Sequence, residues 1–109
     1  YIGVTTYLCN IERSKLLRNA IKNGYLPLNR LLIETDAPFM KPKFDKIDGN
    51  DKYVKLTPYL TKTKRKKGNN EPCLLPCLLN SLYICYNKKY SIKEIALETW
   101  NNSMKVLNL

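Results

Sequence analysis

No histidine occurs anywhere in the 109 residues. That excludes a His-based triad, an imidazole acid–base pair or an imidazole metal site built within the chain itself. A run of about 18 apolar residues is also missing, so no segment reads as a membrane-spanning helix. The four cysteines, Cys9, Cys73, Cys77 and Cys85, include no CxxC pair. With no histidine beside them they do not make a four-ligand zinc site. They read as buried thiols in a reducing, intracellular setting, with a structural disulfide as the lesser alternative.

Acidic residues are scarce, 9 against 19 Lys and Arg, which leaves a net charge of +10. Such an excess fits phosphate-rich partners, because cationic side chains release counterions from nucleic acid. Composition alone is a competing cause: Lys, Asn, Ile and Tyr all have AT-rich codons and fill 43 of the 109 positions. The length is that of one small domain at most, and 44% hydrophobic residues suffice for a packed core. The chain opens on Tyr1 in a strand-like stretch, with no basic-then-apolar leader before it. It is therefore expected to be a fragment of a longer fold.

Residues 1–6 alternate β-branched and aromatic side chains and predict a buried strand, in which Gly3 marks a close backbone approach. Asn10 is positioned to cap a helix over residues 11–22 that buries Leu16, Leu17, Ala20 and Ile21. Asn23-Gly24 ends that helix, since Gly24 tolerates positive φ. A second strand is predicted over residues 30–36, too apolar at Leu31-Leu32-Ile33 to face water on either side. Strand, helix, short turn and strand make a βαβ unit with a parallel pair, hence an α/β fold class.

Residues 37–70 show no sustained period and hold Pro38, Pro42, Gly49, Pro58 and Gly68. Ten of the 19 cationic residues fall between positions 41 and 67, so most of the net charge belongs to a basic loop insert over 41–69. Its densest part is Lys62, Lys64, Arg65, Lys66 and Lys67, with Tyr53 and Tyr59 upstream. Loops this long in compact domains are functional or disordered. The cluster can grip phosphates and the tyrosines can stack on bases, or the segment is simply solvated.

A helix is expected from Asn70, with Pro72 in its tolerant first turn and Pro76 either kinking it or marking a fresh start. Its apolar stripe is Leu75, Leu78, Leu79, Leu82 and Tyr86. Ser91-Ile92-Lys93-Glu94 is a capping box for a last helix that buries Ile92, Ile95, Ala96, Thr99, Ser103, Val106 and Leu107, with Trp100 expected in the core.

The distinctive stretch is Glu34-Thr35-Asp36-Ala37-Pro38. Two carboxylates two apart on a strand face the same side, at the carboxyl end where open βα sheets and (β/α)8 barrels gather reactive groups. Asp36 can ligate a divalent metal or deprotonate its water. The competing reading is an Asp that caps the turn ahead of Pro38. Glu34, deeper along the strand, reads as a buried acid paired with a neighbouring Lys or Arg.

These motifs, in this order, resemble the TatD family of metal-dependent deoxyribonucleases. Tyr1-Ile2-Gly3-Val4-Thr5 is similar to that family's penultimate barrel strand, although Thr6 stands where Gly is usual. Leu32-Ile33-Glu34-Thr35-Asp36-Ala37-Pro38 resembles its ETDAP signature on the last strand. Asn70-Glu71-Pro72, followed by Leu75-Pro76, resembles its RNEP stretch, with Asn69 where Arg is common. The segment from Trp100 to Leu107 resembles its terminal NN/TxKVF pattern, with Leu107 and Asn108 at the less typical end. The resemblance covers essentially the whole chain.

It implies that residues 1–109 are the C-terminal segment of a single TatD-like hydrolase domain, namely the last two strands plus helices of a TIM-type (β/α)8 barrel. The family's metal centre uses an HxH pair, a Glu, two further His and the Asp of ETDAP, and only the last maps here, onto Asp36. The implied cofactors are divalent metal ions, Mg2+ foremost, with Mn2+ or Zn2+ as alternatives. The implied partners are a DNA substrate and the remaining N-terminal part of the barrel. Glu71 is expected to hold the terminal helix rather than touch substrate. Two other readings stay open: a non-catalytic basic nucleic-acid-binding fragment, and another amidohydrolase-like hydrolase. Alone, the chain is expected to be inactive and to fold weakly, because two parallel strands cannot close a barrel.

Overall fold

The computed structural model describes residues 1–42 and 69–109. The order is β1 (Ile2–Val4), a 3-10 turn (Thr6–Cys9), α1 (Lys15–Lys22), a second 3-10 turn (Leu28–Arg30) and β2 (Leu31–Ile33). After the segment outside the described residues come a third 3-10 turn (Pro72–Leu74), α2 (Leu75–Cys85) and α3 (Ile92–Leu107). β1 and β2 pair in parallel, with Ile2 opposite Leu31 and Val4 opposite Ile33. The expected βαβ unit is therefore present. Among the described residues no helix is long and apolar enough to cross a membrane.

Helix ends follow local chemistry. The Asn10 carboxamide oxygen accepts the Arg13 N–H at 3.1 Å, so Asn10 caps the turn that leads into α1, although the regular helix begins only at Lys15. At the other end Gly24 adopts φ 80°. The Gly24 N–H bonds the Ile21 carbonyl at 3.1 Å and the Tyr25 N–H the Ala20 carbonyl at 3.0 Å. These are the two bonds of a Schellman stop, and they satisfy carbonyls that the helix leaves open. Ser91 and Glu94 form the expected reciprocal capping box at the start of α3. Pro76 lies in the first turn of α2 and Pro72 at the start of the preceding 3-10 turn, so the segment makes a fresh start, with no kink needed.

Val4, Leu8, Ile21, Leu31, Leu74, Leu78, Leu82 and Ile95 are the heart of the core. α2 packs on the Thr6–Cys9 turn and on α1, while α3 lies across Leu28–Arg30 and β2. All four cysteines lie outside disulfides, three buried and Cys73 half-buried. The expectation of buried thiols is met at Cys9, Cys77 and Cys85 and not at Cys73.

Several expectations need correction. The strands are three residues each, shorter than the predicted 1–6 and 30–36, and Ile2 and Gly3 are exposed. The residue pattern marks a potential for strand, but ladder pairing defines its length: β1 ends just before the Thr6–Cys9 turn, and β2 starts only after the Leu28–Arg30 turn and ends ahead of the turn at Asp36. In α1, Ile21 is buried while Leu16 is 86% exposed. Leu16 sits about 100° round the helix from Leu17, which packs on the core. In α3 the buried line is Ile95, Thr99 and Asn102, and Trp100 (62% exposed), Val106 and Leu107 face away from it. The helix is rotated so that a polar residue, Asn102, takes the most enclosed place. Its amide donates to the carbonyls of Leu28 (3.0 Å) and Leu31 (2.8 Å), tying α3 to the entry of β2. Capturing two buried carbonyls outweighs turning Trp100 inward.

Candidate active-site edge

Two turns meet at the carboxyl ends of the parallel strands. The first leaves β1 through Thr5 and Thr6, and the second leaves β2 through Thr35 to Met40. After Ile33 the ladder continues one bond further, with the Glu34 N–H on the Val4 carbonyl at 3.0 Å. The chain then turns sharply. Asp36 adopts φ 59°, the Ala37–Pro38 peptide is cis, and the Phe39 N–H closes the turn on the Asp36 carbonyl at 2.8 Å. A non-glycine residue in the left-handed region is uncommon, and Asp is among the few side chains that tolerate it. The result is an exposed Asp36 carboxylate at the lip of the sheet.

Asn70 holds this turn in place. It is buried, 3% exposed, and its amide donates to the Thr35 carbonyl at 2.7 Å and to the Thr6 hydroxyl at 2.9 Å. Its backbone N–H bonds the Pro38 carbonyl at 2.8 Å, and its side-chain oxygen accepts the Glu71 N–H at 2.9 Å. Asn70 thus fastens the residues on either side of Asp36, Thr35 through its side chain and Pro38 through its backbone, and links them to the β1 turn. Thr6 completes the junction: its buried hydroxyl lies 2.8 Å from both the Thr35 and Met40 carbonyls, its one proton serving one of them at a time. Thr5 adds a weak contact to the Met40 sulfur at 3.4 Å. The buried side-chain polar atoms of Thr6 and Asn70 all have partners, which helps a backbone in a sparsely populated conformation to persist.

Glu34 is not the buried acid expected from its depth in the strand. It is exposed, and its carboxylate lies over Gly3: a Cβ built there would sit 2.6 Å from Glu34 Oε1. The close approach expected at Gly3 is thus to a side chain. The alternation that would put Glu34 and Asp36 on one face does not reach Asp36, since the strand ends at Ile33 and Asp36 has positive φ. Glu71, half-buried, accepts a long bond from the Cys73 thiol at 3.5 Å. Burial first, then that bond and the Glu71 charge, push the Cys73 thiol above its ordinary value, so it stays a neutral donor.

Among the described residues no three His, Cys, Asp or Glu side chains converge. Asp36 offers one hard oxygen donor, suited to a divalent cation as one ligand of several. Lys62, Lys64, Arg65, Lys66 and Lys67, with Tyr53 and Tyr59, lie outside the described residues, as does most of the 41–69 insert. Sequence reasoning did not single out Asn70 or Thr6 as parts of the edge. The signal available for Asn70 was its place directly before Glu71-Pro72, where a short amide precedes a proline-opened helix.

A parallel βαβ unit that presents a fastened carboxylate at its carboxyl edge defines an α/β protein of the kind that builds its site from the turns at that edge. The chain belongs to the TatD related DNase family, whose model matches residues 1–108. It is 36% identical over 76 residues to a protein of Edwardsiella piscicida named 3'-5' ssDNA/RNA exonuclease TatD, covering 70% of this chain and 22% of that protein. Over 109 residues it is 27% identical to the protein of the same name from Erwinia tasmaniensis, covering all of this chain and 34% of that one. The Salmonella typhimurium counterpart is 34% identical over 82 residues, which is 75% of this chain and 25% of that protein. The chain therefore spans between about a fifth and a third of the length of these curated relatives.

Proposed function

We propose that residues 1–109 are the C-terminal segment of one TatD-like hydrolase domain, a divalent-metal-dependent nuclease that cleaves phosphodiester bonds of DNA. In this reading the two parallel strands and their helices are the last part of a (β/α)8 barrel, and Asp36 is both a metal ligand and a catalytic group. The observation that carries it is the Asp36 turn, a carboxylate at the carboxyl edge whose flanking carbonyls are gripped by the buried Asn70. An exposed acid with no task needs no such anchorage. Family membership and the exonuclease names of the relatives support the same reading and extend the substrate class to single-stranded DNA or RNA.

Asp36 would be this chain's ligand to a divalent ion, Mg2+ before Mn2+ or Zn2+, whose chemistry when bound would be Lewis-acid polarisation of the phosphodiester and acidification of a water. The chain's own part is a preorganised carboxylate. Asp36 contributes one oxygen donor and orients or deprotonates the attacking water, without paying reorganisation when substrate arrives. The basic side chains Lys62, Lys64, Arg65, Lys66 and Lys67 belong to the same reading as phosphate contacts.

The test is hydrolysis of an end-labelled single-stranded oligonucleotide by the intact protein carrying this chain, in Mg2+ or Mn2+. Asp36→Asn keeps the shape of the turn but removes the charge. It is expected to lower the rate at least about 100-fold, an order typical for a ligand or general base. Full activity of Asp36→Asn would refute the assignment.

A further inference from the structure

Beside the Asp36 turn, on the same edge, lies a 150 Å3 cleft between the β1 turn and the segment after Met40. Its polar lining is Thr6, Tyr7, Asn10, Arg13 and Lys41, and among the described residues none of the lining is acidic. Thr6 is shared: it forms a wall of the cleft while its hydroxyl reaches the Thr35 carbonyl, one residue before Asp36. The cleft is thus one side chain away from the candidate site.

The anchoring of Arg13 sets this cleft apart from an ordinary basic surface. Arg13 is exposed, yet its backbone is held at both ends by other lining residues. The Asn10 side chain accepts its N–H at 3.1 Å, and the Tyr7 hydroxyl donates to its carbonyl at 2.6 Å. Behind it, the Leu8 carbonyl takes the Ser14 hydroxyl at 3.1 Å and the Arg18 guanidinium at 2.8 Å, which fixes the turn from which Arg13 projects. Two side chains of the cleft thus set where a third begins. A site that binds a tetrahedral oxyanion gains from a guanidinium whose origin is fixed before the ligand arrives. Lys41 adds a second cation on the facing wall.

We infer that this cleft is a backbone-phosphate subsite, in which Arg13, assisted by Lys41, holds one phosphodiester of a nucleic-acid strand next to the bond presented to Asp36. It rests on the nuclease reading for its register, though not for binding itself. Recognition through phosphate is indifferent to base and to the 2'-hydroxyl, so the subsite accepts DNA and RNA alike.

The test measures binding of a fluorescein-labelled 15-nucleotide oligothymidylate to the intact protein by anisotropy, in EDTA to prevent cleavage, across a salt series. Arg13→Gln is expected to weaken binding about 3- to 10-fold near 100 mM salt and to lower the slope of log Kd against log salt by about 0.7, the value for one single-strand phosphate contact. Arg13→Lys should keep that slope, and Lys22→Gln, at the far end of α1, should leave both quantities unchanged. Unfolding midpoints equal to the parent's confirm that the fold is intact. A parent protein that binds with a salt slope which Arg13→Gln leaves unaltered overturns the subsite, as does a parent that fails to bind at all. Cleavage distinguishes the two proposals. If Asp36→Asn abolishes hydrolysis while Arg13→Gln leaves binding unchanged, only the subsite fails. If Arg13→Gln lowers the slope while the parent hydrolyses nothing in Mg2+, Mn2+ or Zn2+, the subsite stands and the nuclease reading fails.

Discussion

Replacing Asn70 with alanine removes a buried side chain that fastens the Asp36 turn to the rest of the protein. Three hydrogen bonds go with it: to the Thr35 carbonyl at 2.7 Å, to the Thr6 hydroxyl at 2.9 Å and from the Glu71 N–H at 2.9 Å. Each contributes a net of about 1 kcal/mol, so the expected loss is about 3 kcal/mol. That is a large share of the roughly 5–15 kcal/mol that holds a domain folded. Thr6 softens the loss at the Thr35 carbonyl, which its hydroxyl also reaches at 2.8 Å. Asn70→Asp gives no such relief, since it places an oxygen against that carbonyl where a donor stood, and it should cost at least as much. Urea denaturation of the intact protein measures the effect as a lower midpoint with an unchanged slope. Below the transition, the rate of the proposed phosphodiester hydrolysis should fall about 10- to 100-fold, because a reacting group displaced by about 1 Å loses that order of rate. A stability loss under about 1 kcal/mol together with an unaltered rate would refute the argument that Asn70 holds the turn.

Other outcomes are equally definite. Burial, foremost, pushes the Tyr86 hydroxyl from its ordinary 10.0 up to about 12, and that hydroxyl donates to the Leu26 carbonyl at 2.7 Å. The folded value exceeds the unfolded one, so its contribution is complete below pH 10 and is lost as pH rises through about 12. Tyr86→Phe should cost about 1 kcal/mol at neutral pH and flatten that alkaline limb of the stability profile. Gly24→Ala puts a Cβ at φ 80° in the Schellman stop and should lower stability by about 1 kcal/mol, read as a shift in thermal midpoint, even though no atom lies within 4 Å of the new methyl group. Ser91→Ala removes the cap of α3 and should cost about 1 kcal/mol. The bonds from Ser91 hold Glu94 below the usual carboxylate range. Its contribution is therefore present above the ordinary carboxylate value and is lost as pH falls through the lowered one, and Ser91→Ala should weaken that acid dependence without abolishing it, because alanine keeps the backbone N–H that donates to Glu94.

Much of this arrangement is written in short stretches. The parallel pair follows from two apolar runs joined by a helix, and the stop at Asn23-Gly24 and the start at Ser91-Glu94 are each decided within about four residues. The position of Asp36 at the carboxyl edge is local as well, because a strand must end before Pro38. The order of the motifs also pointed to the TatD family, which the match over residues 1–108 bears out.

Long-range partners decided the rest. Periodicity offers α3 more than one face to bury, and the choice of Asn102 over Trp100 depends on carbonyls more than 70 residues away, at Leu28 and Leu31. Likewise the Asn70 clamp joins side chains 64 residues apart, and the exposure of Glu34 depends on the missing side chain at Gly3 on the neighbouring strand. A sequence states which groups are available to bond and which local turns they allow. Which donor meets which acceptor across the fold is decided by the relative placement of packed elements, and only there does the Asp36 turn, already a candidate from its place in the sequence, gain its support from Asn70 and Thr6.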